Sequence, residues 1–294
     1  MSIRRYTSVF AFLVFIALAG ARALAYDAIV VFGDSYNDVG NIYLATSKLG
    51  SPYPPAPYYM GRFSNGPIWI EHVANAWGLP MKPSLAGGTD YAFGGAEVLQ
   101  DVTTPQGIIP SVPNQVALYL LAHGGKADPY TLYVIEGGGN DILASLTPGG
   151  SPSTVLSNEI AGALTGIVSA LVKAGGKSFL VPDLLDIGQL PAAAVNPEQA
   201  SAETIAVNKG LDLLLPKEPA GVAVTRMDVF QTFLAVAGAR THFGFTNVIT
   251  PCLAPSSTTV CADPAHTLWW DAEHPTVFGH AFFAVLVESR LYNH

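Results

Sequence analysis

Four short apolar runs recur along the chain with longer helical stretches between them, and that alternation limits the fold more than any other feature of the sequence. The runs cover residues 28–32, 131–136, 177–181 and 221–226. They are rich in β-branched or aromatic residues, as strands of a sheet covered on both faces should be. Helical patterns cover 67–78, 113–123, 153–174, 198–215, 227–237 and about 275–290, and Pro67 and Pro275 suit first helical turns, where a missing N–H costs nothing. The alternation predicts an α/β fold with a mostly parallel central sheet and helices on both sides. In such sheets ligands bind outside the carboxyl ends of the strands. No internal repeat, charge block or low-complexity linker divides the chain, so a single domain over 26–294 is expected. The Pro/Tyr-rich loop 51–60 and the segment 241–266 carry no regular pattern, and either wall a substrate pocket or cover the sheet edge.

Residues 1–25 read as a secretory signal peptide: Arg4 and Arg5 precede an apolar core from Val9 to Ala19, and Ala23-Leu24-Ala25 is a small-x-small cleavage site. The apolar core is shorter than the ~20 residues a spanning helix needs. The expectation is export, by the Sec route as the default, to a secreted or periplasmic location, with maturation at Tyr26 and no stable membrane anchor after cleavage. Without Arg4, Arg5 and Arg22 the chain carries 11 basic and 22 acidic residues, net −11, which disfavours nucleic acid and anionic lipid headgroups as partners. With 50% hydrophobic and 12% charged residues a large core is available and disorder is excluded. Cys252 and Cys261 sit close together in a Pro/Ser/Thr-rich segment, so an exported chain is expected to join them in a local disulfide, two free thiols being the alternative. Neither cysteine has a neighbouring His or Cys at zinc-finger spacing.

The first apolar run leads into Gly33-Asp34-Ser35-Tyr36-Asn37-Asp38-Val39-Gly40-Asn41, which places a small nucleophile in a turn at the end of a buried strand. A serine hydroxyl is inert at neutral pH unless an oriented base takes its proton. Of the seven histidines, His72, His123, His242 and His266 stand without a strong local motif, and His294 is the last residue. His274 follows Asp271 by three residues just before the final helix, a spacing that can bring the carboxylate back to Nδ1. Ser35, His274 and Asp271 are thus candidates for nucleophile, base and orienter. Oxyanion donors are offered by Gly137-Gly138-Gly139-Asn140-Asp141, through the Asn140 side chain, and by Asp90-Tyr91-Ala92-Phe93-Gly94-Gly95-Ala96, through the N–H of Gly94 or Gly95. His280 stands six residues beyond His274, and no His-Glu-x-x-His, Gly-x-Ser-x-Gly, Gly-x-Gly-x-x-Gly or P-loop pattern follows a strand here. This disfavours metallohydrolases, nucleophile-elbow α/β-hydrolases and nucleotide enzymes.

These blocks resemble the GDSL, or SGNH, hydrolase family in order across the mature chain: Phe32-Gly33-Asp34-Ser35 with Asp38 and Gly40-Asn41, then Gly94-Gly95, then Gly138-Gly139-Asn140-Asp141, then Asp271-x-x-His274-Pro275. Gly61-Arg62-Phe63-Ser64-Asn65-Gly66-Pro67, with Trp69 and Glu71, is similar to a segment of longer secreted members. The resemblance implies a three-layer α/β/α flavodoxin-like fold and hydrolysis of carboxylic esters through an acyl-serine, with no cofactor and no metal. It also implies an oxyanion hole made by the N–H of Ser35, the N–H of Gly95 and the side chain of Asn140. Asp90 departs from the family, where many relatives have Asn. The expected substrate is a small-molecule, lipid or glycan ester. Hydrolysis by a serine esterase or lipase is the first reading, and a carbohydrate O-deacetylase or acyltransferase using the same centre is the alternative. A non-catalytic binding protein on this scaffold is disfavoured by the complete set of catalytic-type residues.

Overall fold

The computed structural model describes residues 26–215, 221–255 and 257–291; the expected signal peptide lies outside them. In chain order the elements are β1 (Ala28–Phe32), α1 (Asn41–Ser47), α2 (Trp69–Ala76), β2 (Val102–Thr104), β3 (Gly107–Ile109), α3 (Val112–Ala122), β4 (Thr131–Ile135), α4 (Gly139–Ser145), α5 (Thr154–Ala174), β5 (Ser178–Pro182), α6 (Pro197–Leu214), β6 (Ala223–Met227), α7 (Val229–Gly238) and α8 (Val277–Leu291).

The main sheet has the order β1-β4-β5-β6, all parallel, with Ala28 to Phe32 paired in register with Thr131 to Ile135. Every residue of β4 is buried, so both faces of the sheet are covered. Beyond β1 the chain adds a rudimentary fifth strand: Val31 N–H donates to Thr89 O, Tyr91 N–H to Val31 O and Phe93 N–H to Gly33 O, with Val31 and Asp90 in a parallel bridge. Counting this segment second in chain order, the strands run 2-1-3-4-5, the flavodoxin-like order, with its switch point between β1 and β4. On one face Tyr119 of α3 packs edge-on against Phe32 and Tyr133, and α5 packs against both α3 and α6. On the other, α2 packs against α8, where Trp69 meets Phe283 edge-on.

Local chemistry sets the element ends. α5 starts at Ser153, whose hydroxyl accepts from Leu156 N–H, and its buried Ile160, Ala161, Leu164, Ile167, Val168 and Leu171 recur at helical spacing. Both α2 and α8 begin two residues beyond the prolines expected in their first turns. The caps decide this: Glu71 accepts from Ile68 N–H at 2.9 Å, and the Thr276 hydroxyl accepts from Gly279 N–H. β6 is half-exposed, as an edge strand is, and carries Arg226 there. The helices α1 and α4 and the β2–β3 hairpin have no counterpart in the sequence-based expectation.

Candidate active site

At the carboxyl end of β1 the ladder is taken over by a side chain. Gln115 of α3 accepts from Gly33 N–H at 2.9 Å and donates to Gly33 O at 2.8 Å, fixing the backbone just before the nucleophile candidate. Asp34 then organises a tight turn: its side chain accepts from Tyr36 N–H at 3.0 Å and its carbonyl from the N–H groups of Asn37 and Asp38. Ser35 sits in this turn, buried, and the described residues offer no partner to its N–H.

Asp38 and Asn41 of the same block clamp the next one. The Asp38 carboxylate accepts from Gly40, Asn41 and Ile42 N–H groups at the start of α1, and from Gly94 N–H at 2.8 Å. Asn41 donates to the carbonyls of Asp90 and Ala92. The Gly94 N–H is therefore engaged, whereas that of Gly95 has no partner among the described residues. Both glycines are structurally required. A Cβ at Gly94 would stand 2.2 Å from the Phe63 ring, and Gly95 has φ +81°.

Asn140 lies in the first turn of α4, beyond β4, with its amide donating to Ala96 O at 2.9 Å and facing Asp34 Oδ2 at 3.4 Å. From the other direction the turn before α8 delivers His274. Its Nε2 stands 2.8 Å from Ser35 Oγ, and its Nδ1 stands 2.8 Å from both oxygens of Asp271. The N–H groups of Glu273 and His274 donate to Asp271 Oδ1, and the Tyr58 hydroxyl donates to Oδ2 at 2.7 Å. The structure thus brings Ser35, His274 and Asp271 into one hydrogen-bonded line, and places Gly95 and Asn140 on neighbouring strand ends.

Several residues here have contacts that no motif in the sequence announces. Phe63 stacks near His274, with centroids 5.0 Å apart. Ser64 donates to Pro275 O and Asn65 accepts from Val277 N–H, so the Gly61–Pro67 segment holds the base-bearing turn. Tyr58 meets Trp270 edge-on, and Trp270 packs with the Cys252–Cys261 disulfide and Leu253. Among the described residues no three His, Cys, Asp or Glu side chains are grouped to hold a metal ion. A hydroxyl, a base at hydrogen-bond distance and an anion behind it can carry out nucleophilic acyl transfer.

Residues 29–287 match the family described as GDSL-like Lipase/Acylhydrolase. The chain belongs to that family. This GDSL hydrolase is 28% identical over 256 residues to a phosphatidylcholine-sterol acyltransferase of Aeromonas hydrophila, a match covering 82% of the chain and 72% of the relative. It is 26% identical over 275 residues to a thermolabile hemolysin of Vibrio parahaemolyticus, covering 87% of the chain but only 62% of that protein. The crystal structure of a lipolytic G-D-S-L family member from Veillonella parvula superimposes with a TM-score of 0.52 at 15% identity, over 91% of this chain and 99% of that one, and shares its α/β fold.

Within the hydrolase, acids on the two sides of Ser35 titrate in opposite directions. Burial pushes Asp271 up, but the His274 charge and hydrogen bonds from His274, Tyr58 and the Glu273 N–H outweigh it and hold the carboxyl at about 2. Burial alone would lower His274. The charge and hydrogen bond of Asp271, with Glu273 and Asp34 beyond it, raise the imidazole above its ordinary 6.5. Asp34 is pushed up to about 6 by burial, against a backbone hydrogen bond from Tyr36 and the charge of His274.

Proposed function

We propose that this chain hydrolyses carboxylic esters through an acyl-serine formed on Ser35. The 2.8 Å contact between Ser35 Oγ and His274 Nε2, backed by Asp271, carries the reading. His274 takes the hydroxyl proton as Ser35 attacks the ester carbonyl, and Asp271 fixes the tautomer and stabilises the imidazolium. The developing oxyanion is received by the N–H groups of Ser35 and Gly95, both without a partner among the described residues, and by the Asn140 amide; the engagement of Gly94 N–H with Asp38 favours Gly95 over it. The imidazolium then protonates the departing alcohol. In the second half-reaction His274 activates water, which attacks the acyl carbonyl and releases the acid.

The similarity to a phosphatidylcholine-sterol acyltransferase supports a second outcome of the same acyl-serine, transfer to an alcohol acceptor in place of water. Removal of acyl groups from a carbohydrate is the other alternative reading of the same centre. The charge pattern of residues 1–25 and the Cys252–Cys261 disulfide support export of a single domain running from Tyr26 to His294, to the periplasm or beyond it.

Ser35→Ala tests the reading. Hydrolysis of p-nitrophenyl esters is expected to fall at least ~10⁴-fold and labelling by a fluorophosphonate probe to disappear, with the thermal unfolding transition kept. Full activity in the variant would refute it. Adding alcohol acceptors to the wild-type reaction and analysing the products separates transfer from hydrolysis.

A further inference from the structure

Beside the Ser35 turn lie two carboxyls that the proposed mechanism does not use, the buried Asp34 and the half-buried Glu136. Asp34 and Glu136 line one cavity and come close enough to hydrogen-bond to one another. Two carboxyl groups can do so only if one of them keeps a proton, because an ionised carboxylate is an acceptor alone. Their surroundings decide which. Asp34 receives Tyr36 N–H on Oδ1 and faces the Asn140 amide through Oδ2, and His274 adds positive charge nearby. Glu136 receives one neutral donor, Asn37 Nδ2 at 2.7 Å. The cavity beside it is walled by Leu184, Leu185, Ile187, Val229 and Phe283, with no basic side chain in its lining. An apolar wall without a cation disfavours charge. Burial and the neighbouring Asp34 hold Glu136 well above the ordinary carboxylate range.

The donors then run in one direction toward Asp34. Trp69 Nε1 donates to Asn37 Oδ1 at 3.0 Å, Asn37 Nδ2 donates to Glu136 Oε2, and the Glu136 hydroxyl donates to Asp34. Asn140 approaches Asp34 from the opposite side and is held a second time by Ala96 O. The amide plane of Asn140 is thus set by a carboxylate whose own position is set by Glu136.

We propose that Glu136 is a positioning residue for the oxyanion donor Asn140, acting as a neutral acid through Asp34. This rests on the acyl-serine reading of the site. Preorganised donors gain their effect from being aimed before charge develops, and the long 3.4 Å contact to Asp34 is one that the amide can exchange for the oxyanion without moving its hydrogen bond to Ala96. An ionised Glu136 would set two anions against each other at this point and remove the anchor.

Glu136→Gln reproduces the neutral acid, since its amide oxygen accepts from Asn37 and its NH₂ donates to Asp34. Glu136→Leu keeps the bulk and removes the donor. With p-nitrophenyl esters the Gln variant is expected to keep kcat within about threefold, and the Leu variant to lose roughly 10- to 100-fold in kcat with KM little changed, below the ~10²–10³ of removing an oxyanion donor outright. In an Asn140→Ala background Glu136→Leu should cost almost nothing further, because both act on one interaction. Additive losses, or a Gln variant as impaired as the Leu variant, overturn the proposal. Should Glu136→Leu fail to fold, the acid limb of kcat/KM in Glu136→Gln decides. The groups facing the pair are His274, Asp141, Glu273 and Tyr36, with Asp183 across the cavity. If the pair carries a single charge, Gln leaves that charge unchanged and the limb stays in place. A shift to lower pH means that Glu136 was ionised, and overturns the proposal. A Ser35→Ala protein that stayed active would instead strike the acyl-serine reading, so the two failures are distinguishable.

Discussion

Two Asp-x-x-His turns lie eight residues apart in one segment, Asp263-Pro-Ala-His266 and Asp271-Ala-Glu-His274, and in each the imidazole Nδ1 stands 2.8 Å from a carboxylate oxygen. The spacing that singles out His274 is therefore present at His266 as well, which corrects the reading of His266 as a histidine without a local motif. What separates them is enclosure. The His266 and Asp263 side chains are 53% and 51% exposed, those of His274 and Asp271 7% and 15%. In water two unit charges 4 Å apart attract by only about 1 kcal/mol, rising to about 4 kcal/mol at the effective dielectric near a protein surface. The first pair is a solvated contact on a loop. The second is closed at one end by Ser35, at the other by Tyr58, and is flanked by the rings of Phe63 and Tyr36.

The strongest way to break this comparison is to remove each imidazole. His274→Ala is expected to lower kcat/KM for p-nitrophenyl esters by at least ~10⁴-fold, and His266→Ala by less than about twofold, both proteins remaining folded by circular dichroism. Comparable losses in the two would mean that enclosure is not what distinguishes them. Asp271→Asn should follow at roughly 10³- to 10⁴-fold, since the amide leaves the wrong tautomer in place, while Asp263→Asn stays near wild type.

The pH dependence sharpens the comparison further. Activity needs neutral His274, so kcat/KM should fall as pH drops through a midpoint above 6.5, the raised value set by Asp271. The stabilities run with opposite signs. Raised His274 stabilises the fold fully below 6.5, and that share is lost as pH rises through its folded value. Lowered Asp271 contributes above 3.8 and loses its share as pH falls toward about 2. The dyad is thus expected to stabilise most between about 4 and 6.5, read from urea midpoints of wild type against Asp271→Asn. A difference between the two proteins that does not fall off on either side of that range would show that the pair is not charged in the folded state.

What the sequence made legible follows the range of the forces involved. The strands of the main sheet were readable to within two residues because burial on both faces forces a short unbroken apolar run, a local property. The segment 89–93 was not, since it is held to β1 by three backbone hydrogen bonds and by Asn41 rather than by its own composition. The helix α1 depends likewise on the Asp38 carboxylate at its start, and α4 begins inside a glycine run that reads as a turn. Ser35, Gly95, Asn140, Asp271 and His274 could be nominated because each sits in a short motif next to an element end. Gln115 and Glu136 could not, and Tyr58 could be nominated only as an aromatic of the 51–60 loop, not as a donor to Asp271. Tyr58 meets that partner 213 positions away and Gln115 meets Gly33 82 positions away, and nothing local marks either contact. The Asp90 departure has a physical reading only in three dimensions: wholly buried, it accepts from Val39 and Ala92 N–H groups, and burial beside Asp38 raises its pKa well above the ordinary range.

Tyr58 offers the smallest and most discriminating change. Its hydroxyl is one of the donors that keep Asp271 ionised, and its ring is held edge-on by Trp270 beside the disulfide. Tyr58→Phe keeps that packing and removes one hydrogen bond to a charged acceptor, worth about 1.5–3 kcal/mol. The Asp271 pKa should then rise from about 2 toward its ordinary value, and the hold of Asp271 on His274 should weaken. At the pH of the His274 limb a carboxyl with a pKa at or below its ordinary 3.8 stays ionised, so that limb is expected to hold its place while the rate at the optimum drops roughly tenfold with KM unchanged, and the loss of stability in acid should begin at higher pH than in the wild type. The two effects have one cause, and a variant in which the rate falls but the acid loss of stability stays in place would mean that Tyr58 shapes the pocket without acting on the carboxylate. Exclusion of solvent by Phe63 and Tyr36 would then be sufficient to separate the His274 turn from its exposed twin at His266.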